Sequence, residues 1–202
     1  MKAKLIVIIF AILIVFLVYE TAKTPKEFQI TQFNTTKEEV LVGIISDTHI
    51  PTRAEFIPSE VKEIFENVDL IIHAGDIENL EVIRELQKIA KVYAVYGNTD
   101  PAETKENLSP ALCIEIYNWR IGVIHNSIVP WMGWKMERIA KKNNLNVLIF
   151  GHIHRPFLKE NKILVINPGS PTDPIFARPS VALLKIDKNS YKGEIKYLDE
   201  NL

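Results

Sequence analysis

One cysteine, Cys113, is all the thiol chemistry in this chain of 202 residues. A single cysteine excludes an internal disulfide framework and a cysteine-ligated zinc cluster. Cys113 lies in the strand-like run Leu112-Cys113-Ile114, the setting of a packed thiol rather than a nucleophile. Nor is there a basic excess. Lys and Arg number 24 against 25 Asp and Glu, a net charge of −1, so no field draws the chain to long nucleic acid. Internal repeats and low-complexity tracts are lacking. What remains, 47% hydrophobic and 24% charged residues, suits one globular domain with a sizeable core and an appended segment.

The appended segment is the N-terminus. Met1-Lys2-Ala3-Lys4 precedes an unbroken apolar run of fifteen residues, Leu5 to Tyr19. A bilayer span takes roughly 20 residues, which Ala3 and snorkelling flanking lysines help to supply. Glu20-Thr21-Ala22-Lys23 offers no small-x-small cleavage site. The expectation is an uncleaved, single-pass transmembrane helix over 1–19 in preference to a removed signal segment. A polar linker over 20–39 and a folded domain over 40–202 follow it. Lys2 and Lys4 predict a membrane localisation with the folded domain on the extracytoplasmic side.

Past residue 40, apolar runs alternate with helical periods. Val40 to Ser46 reads as a buried strand, Pro58 to Glu66 as a helix, and Asp69 to His73 as the next strand. Leu80, Ile83, Leu86 and Ile89 mark an amphipathic helix over Asn79 to Ile89, and Lys91 to Tyr96 is a third strand. That order implies parallel β-α-β units. The second half is richer in strands. Ala111 to Tyr117 and Ile121 to His125 form a hairpin turning at Asn118-Trp119-Arg120, and a helix follows over Trp131 to Lys142. Further strands fall at Asn146 to Phe150, Lys162 to Ile166, Val181 to Asp187 and Tyr191 to Leu198, with a short edge strand inside Phe28 to Phe33. The expected fold is α/β, an α/β/β/α sandwich of two sheets with helices outside.

Histidine is scarce too, and its placement carries the chemistry. The five histidines all sit in or just after apolar runs. Strands of an α/β sheet deliver such side chains to a shared crevice. Asp47-Thr48-His49, Gly75-Asp76, Gly97-Asn98-Thr99-Asp100, His125 and Gly151-His152-Ile153-His154 are five ordered loops of this kind. Each alone is common; together they describe a metal site.

The ordered set resembles the calcineurin-like metallophosphoesterase superfamily, whose pattern is D-x-H, G-D, G-N-x-[DE], a histidine, then G-H-x-H. Ser46-Asp47-Thr48-His49-Ile50-Pro51, His73-Ala74-Gly75-Asp76, Tyr96-Gly97-Asn98 and Asn167-Pro168-Gly169-Ser170 are similar to its small archaeal and bacterial phosphodiesterase branch, which also contains the retromer subunit Vps29. The resemblance covers residues 40–198 and implies a sandwich of the metallophosphoesterase type. It implies one metal at Asp47, His49, Asp76 and His154, and a second at Asp76, Asn98, His125 and His152, with Asp76 and Asn98 in catalytic roles. Oxygen and nitrogen donors place manganese first, with iron, nickel or zinc also fitting. The implied reaction is hydrolysis of a small phosphoester or phosphodiester by a hydroxide bridging two metal ions. The rival is a Vps29-like scaffold that binds metal or protein with little turnover.

The chain departs from familiar patterns at Thr99, where larger relatives carry a histidine, and at His125-Asn126-Ser127, where the branch often reads His-Gly-His. His73 reads as support for Asp76 rather than as a ligand. Asn167 and Ser170 fit either the rim or a plain turn, Arg53 and Arg155 either a phosphate contact or the surface, and Trp119, Trp131 and Trp134 core packing in preference to a pocket near His125.

Overall fold

The computed structural model describes residues 27–125 and 132–198. Eleven strands and four helices fall within them. The first half alternates: β1 (Gln29–Gln32), β2 (Glu39–Ile45), α1 (Ser59–Ile64), β3 (Leu70–His73), α2 (Leu80–Gln87), β4 (Lys91–Ala94) and α3 (Ala102–Asn107). The second half is strand-rich: β5 (Ala111–Ile116), β6 (Trp119–Ile124), α4 (Met132–Lys142), β7 (Val147–Phe150), β8 (Pro156–Glu160), β9 (Leu164–Pro168), β10 (Ser180–Asp187) and β11 (Tyr191–Tyr197).

The strands form two sheets. One has the order β1-β5-β6-β7-β9-β8 and the other β11-β10-β2-β3-β4. Side chains alternate between the two faces of each sheet, as strand pleating requires. Val42, Ile44, Leu70 and Ile72 meet Leu112, Ile114, Val123 and Ile149 between the sheets. Ile45 and Ile71 face the other way, against Val61 and Phe65 from α1 and its C-terminus and Val82 and Leu86 from α2. Cys113, Leu148 and Phe150 likewise face Met136, Ile139 and Ala140 of α4. The sandwich read from the sequence is therefore the fold, and Cys113 is a buried core residue. β2, β3 and β4 run parallel, as do β6 and β7. Their C-terminal ends carry the five loops.

One expectation is corrected. No helix among the described residues is long and apolar enough to cross a membrane. The expected transmembrane helix over 1–19 falls outside the described residues, and the single-pass membrane localisation and extracytoplasmic domain inferred from it are withdrawn. The strand expected inside Phe28 to Phe33 is β1, which extends one sheet by parallel pairing with β5. The hairpin turns earlier than expected, at Tyr117-Asn118, so Trp119 and Arg120 belong to β6.

Two elements carry no periodic signal. The α3 segment is almost wholly polar, so no apolar face marks it. β8 begins at Pro156, tolerated because it opens an edge strand. Ile114, fully buried between the sheets, reports on the core. Ile114→Ala is expected to cost about 2–5 kcal/mol in denaturant unfolding. Lys185→Ala, on the exposed side of β10, should stay within about 0.5 kcal/mol.

Candidate metal centre

The five loops are stitched to one another by backbone bonds. The Asp47 N–H donates to the Gly75 carbonyl at 2.9 Å, and the His49 N–H to the Asp76 carbonyl at 3.1 Å. The His152 N–H reaches both Asp47 carboxylate oxygens, at 2.9 and 3.0 Å. Asp100 accepts from the N–H groups of Asp76, Ile77, Glu78 and Gly97, at 3.1, 2.8, 2.5 and 2.6 Å. The approach is close enough to demand glycine. A Cβ on Gly97 would collide with the Asp76 carboxylate, and one on Gly75, already at φ +94°, with the His125 ring.

Backbone strain concentrates here. Among the described residues nine non-glycine residues have positive φ, and six of them are Asp47, His49, Asp76, Glu78, His152 and His154. Each left-handed residue costs on the order of 1 kcal/mol, sustained only where surrounding bonds over-determine it. Here it aims alternate side chains of each loop at a common point.

Those side chains form two groups that share Asp76. In the first, one ligand atom each from Asp47, His49, Asp76 and His154 lies within 4.8 Å of the others; in the second, the same holds for Asp76, His125 and His152. His49 Nε2 is 3.1 Å from His154 Nε2 and 3.6 Å from Asp76 Oδ2. His125 Nε2 is 3.2 Å from Asp76 Oδ2 and 3.3 Å from His152 Nδ1. Asn98 Oδ1 lies 2.7 Å from His152 Nδ1 and extends the second group.

The outward ring nitrogens explain what the inward ones need. His49 Nδ1 meets Glu78 Oε1 at 2.6 Å, His125 Nδ1 the Ala74 carbonyl at 2.7 Å, and His154 Nδ1 the Asp173 carbonyl at 2.6 Å. Each partner is an acceptor, so each Nδ1 carries the hydrogen and turns its Nε2 lone pair inward. Lone pairs and carboxylate oxygens at about 3 Å repel unless a cation or a proton lies between them. The buried cluster is thus able to bind metal, and its donor chemistry fits one.

Proton affinities follow the same geometry. Burial raises the Asp47 carboxyl above its ordinary range, against the pull of His125 and His154. Burial also disfavours charge on Asp76, but the His125 hydrogen bond and charge, together with the Thr99 N–H at 3.0 Å, hold that carboxyl well below the usual range. Burial alone would lower His125; the Asp76 hydrogen bond and the two aspartates instead push it up to about 9. His73, pressed down to about 3 by burial and then by His125, stays neutral.

Of the residues singled out in the sequence, Asp47, His49, Asp76, Asn98, His125, His152 and His154 all converge here. His73 stands behind them. Its Nδ1 accepts from the Gly75 N–H at 3.2 Å and its Nε2 faces the Thr48 hydroxyl at 3.1 Å. Asn167 and Ser170 are not on a rim; both are fully buried, and the Ser170 hydroxyl donates to the Asp47 carbonyl at 2.7 Å. Arg53 pairs with Asp173 at 3.0 Å, whereas Arg155 is exposed. Trp119 starts β6, opposite the His125 end, and donates to the Asp187 carbonyl at 2.7 Å. Asn126, Ser127 and Trp131 lie outside the described residues, as does the Trp134 side chain. Glu78, Asp100 and Asp173 had no assigned role. Glu78 repeats the two-residue step of Asp47–His49 and His152–His154, a signal open to reading; Asp173 has none.

Comparison with known proteins agrees with this geometry. A family model described as the calcineurin-like phosphoesterase superfamily domain matches residues 40–189. A probable metallophosphoesterase of Methanothermobacter thermautotrophicus is 40% identical over 158 residues, 77% of this chain and 91% of the relative. A phosphodiesterase of Methanocaldococcus jannaschii is 32% identical over 168 residues, 75% and 96% of the two chains. Among solved structures, vacuolar protein sorting 29 of Cryptosporidium parvum superposes with a TM-score of 0.73 at 24% identity, over 82% of this chain and 95% of that one.

Two outcomes follow. Glu78→Ala frees the His49 ring, so metal affinity measured against a chelating dye is expected to fall about 10- to 100-fold; unchanged affinity would remove Glu78 from that role. Manganese added at pH 7 to chelator-stripped protein must displace the His125 proton, whose pKa is pushed up to about 9. Calorimetry in buffers of different ionisation enthalpy should show proton release, with apparent affinity rising with pH and levelling near that value.

Proposed function

The chain belongs to the calcineurin-like phosphoesterase superfamily, and from that premise we propose that it is a phosphodiesterase working with two divalent cations. The observation that carries this reading is the pair of donor groups sharing one carboxylate, Asp76. One cation would be held by Asp47, His49, Asp76 and His154, the other by Asp76, Asn98, His125 and His152. Manganese is the first metal to test, then iron, nickel and zinc. Bound there, the pair would draw a nucleophile from water at neutral pH and neutralise the phosphoryl oxygens.

The chain's own residues do the rest. Asp76, shared by the two donor groups, would offset repulsion between cations held there. Asn98 turns its carbonyl oxygen toward His152, leaving its amide hydrogens for a phosphoryl oxygen. The Nδ1 bonds of His49, His125 and His154 keep the rings from reorganising when substrate arrives. A water oxygen joins phosphorus as the ester P–O bond breaks, giving a monoester and an alcohol or phenol. Thr99 is a poor general acid, so the departing oxygen takes its proton from water, which favours good leaving groups. Similarity to the phosphodiesterase of Methanocaldococcus jannaschii supports a diester. The near-neutral charge supports a small substrate rather than long nucleic acid.

The test is hydrolysis of bis(p-nitrophenyl) phosphate by stripped and manganese-reloaded protein, beside Asp76→Asn and His152→Ala. Both variants are expected to lose at least about 100-fold in kcat/KM, since changes merely behind metal ligands cost 10- to 100-fold. Equal activity in all three proteins would sink the mechanism. Stoichiometric metal uptake with no turnover of any phosphoester would leave a metal- or protein-binding scaffold, the alternative reading.

A further inference from the structure

Two loops leave the His49–His154 side of the centre, and each carries an exposed aromatic ring. The first follows β2. The Arg53 N–H is bound to the His49 carbonyl at 2.7 Å, and Phe56, three residues on, is 69% exposed. The second joins β9 to β10. Asp173 holds His154 Nδ1, and the Ile175 N–H donates to the His154 carbonyl at 3.1 Å. Phe176, the next residue, is 97% exposed, and Ile175 is 47% exposed. The Arg53–Asp173 ion pair, at 3.0 Å, fastens the two loops together.

The backbone that carries Phe176 is restrained. Pro171, Pro174 and Pro179 restrict its loop. Ile175 is anchored before it, and after it Arg178 donates to the Leu198 carbonyl at 3.3 Å. Its φ of 48° is a left-handed conformation that a bulky aromatic residue rarely adopts. A strained backbone that displays its ring to water adds nothing to the core. Beside the proposed phosphoester centre, an exposed ring on a restrained backbone offers a stacking face to another flat group.

We propose that Phe176, with Ile175 and Phe56, forms a subsite for a flat aromatic group carried on the phosphoester, either a nucleobase or a simple aryl ester. The inference rests on the phosphodiesterase reading for turnover, though not for binding. Three diesters with one leaving group separate the possibilities: methyl, phenyl and thymidine 5′-p-nitrophenyl phosphate. With the reaction centre held constant, their differences report the remote group alone.

In manganese-loaded full-length protein, Phe176→Ser is expected to lower the aromatic-over-methyl ratio of kcat/KM about 5- to 100-fold, mostly through KM. Phe56→Ser should lower it less. A thymidyl preference over phenyl identifies a nucleobase; parity identifies a simple aryl group. An unchanged ratio overturns the subsite. If the parent protein turns over none of the diesters, the phosphodiesterase reading fails, and binding still decides the subsite. Calorimetry with phenylphosphonate and methylphosphonate should then show a phenyl preference that Phe176→Ser abolishes. Equal affinities, as a surface for docking another protein would give, overturn it.

Discussion

The centre depends on one buried carboxylate that belongs to neither donor group. Asp100, at 2% exposure, accepts four backbone N–H bonds from two loops that follow different strands. Those N–H groups have left the β ladder and have no other protein acceptor in the interior. Leaving any of them unmet would cost on the order of 1–3 kcal/mol. Asp100 satisfies them together and fixes the Asp76–Glu78 turn against Gly97. That turn sets where Asp76 points, and Asp76 belongs to both donor groups. The shared geometry therefore hangs on a residue two positions beyond the asparagine of the same motif.

Rigidity elsewhere makes the local strain tolerable. β2 and β3 are packed on both faces, between the sheets on one side and against α1 and α2 on the other. Such strands cannot slip by one residue without exchanging their two apolar faces. Their ends are thus fixed points, and the loops leaving them can hold left-handed residues that an unsupported chain would relax. Strained φ values at Asp47, His49, Asp76, Glu78, His152 and His154 mark where stability is exchanged for aim.

Most of the sandwich was legible because its strands are long apolar runs and α2 has a clear helical period. The seven converging residues were legible because loops after parallel strands meet at one end of a sheet, and their order in the chain resembles a known family. What was not legible is whatever only tertiary contact creates. Nothing in Pro171-Thr172-Asp173 says that its carbonyl will meet His154. Nothing in Ser170 says that its hydroxyl will be buried under Asp47 rather than displayed on a rim. The apolar run Leu5 to Tyr19 suggested a membrane span, and no helix among the described residues is long and apolar enough to be one. Length and apolarity describe a segment's composition; they do not say what covers it.

The two donor groups are also unequal, and the inequality has a direction. The first is wholly buried, contains two carboxylates, and has a third behind His49 in Glu78, while His154, like His125, gives its Nδ1 hydrogen to a backbone carbonyl. The second has Asp76 alone, a neutral Asn98 and an Nδ1 bond from His125 to a plain carbonyl, with His152 only partly buried. Carboxylate support raises the basicity of an imidazole more than a carbonyl does, and nearby negative charge draws a cation more strongly. The first group is accordingly the tighter and more structural position. The second, beside Asn98 and the partly buried His152, is the more open side. The loops that carry Phe56 and Phe176 leave from the first group, so under the proposed subsite a substrate would reach from the open side toward them across both.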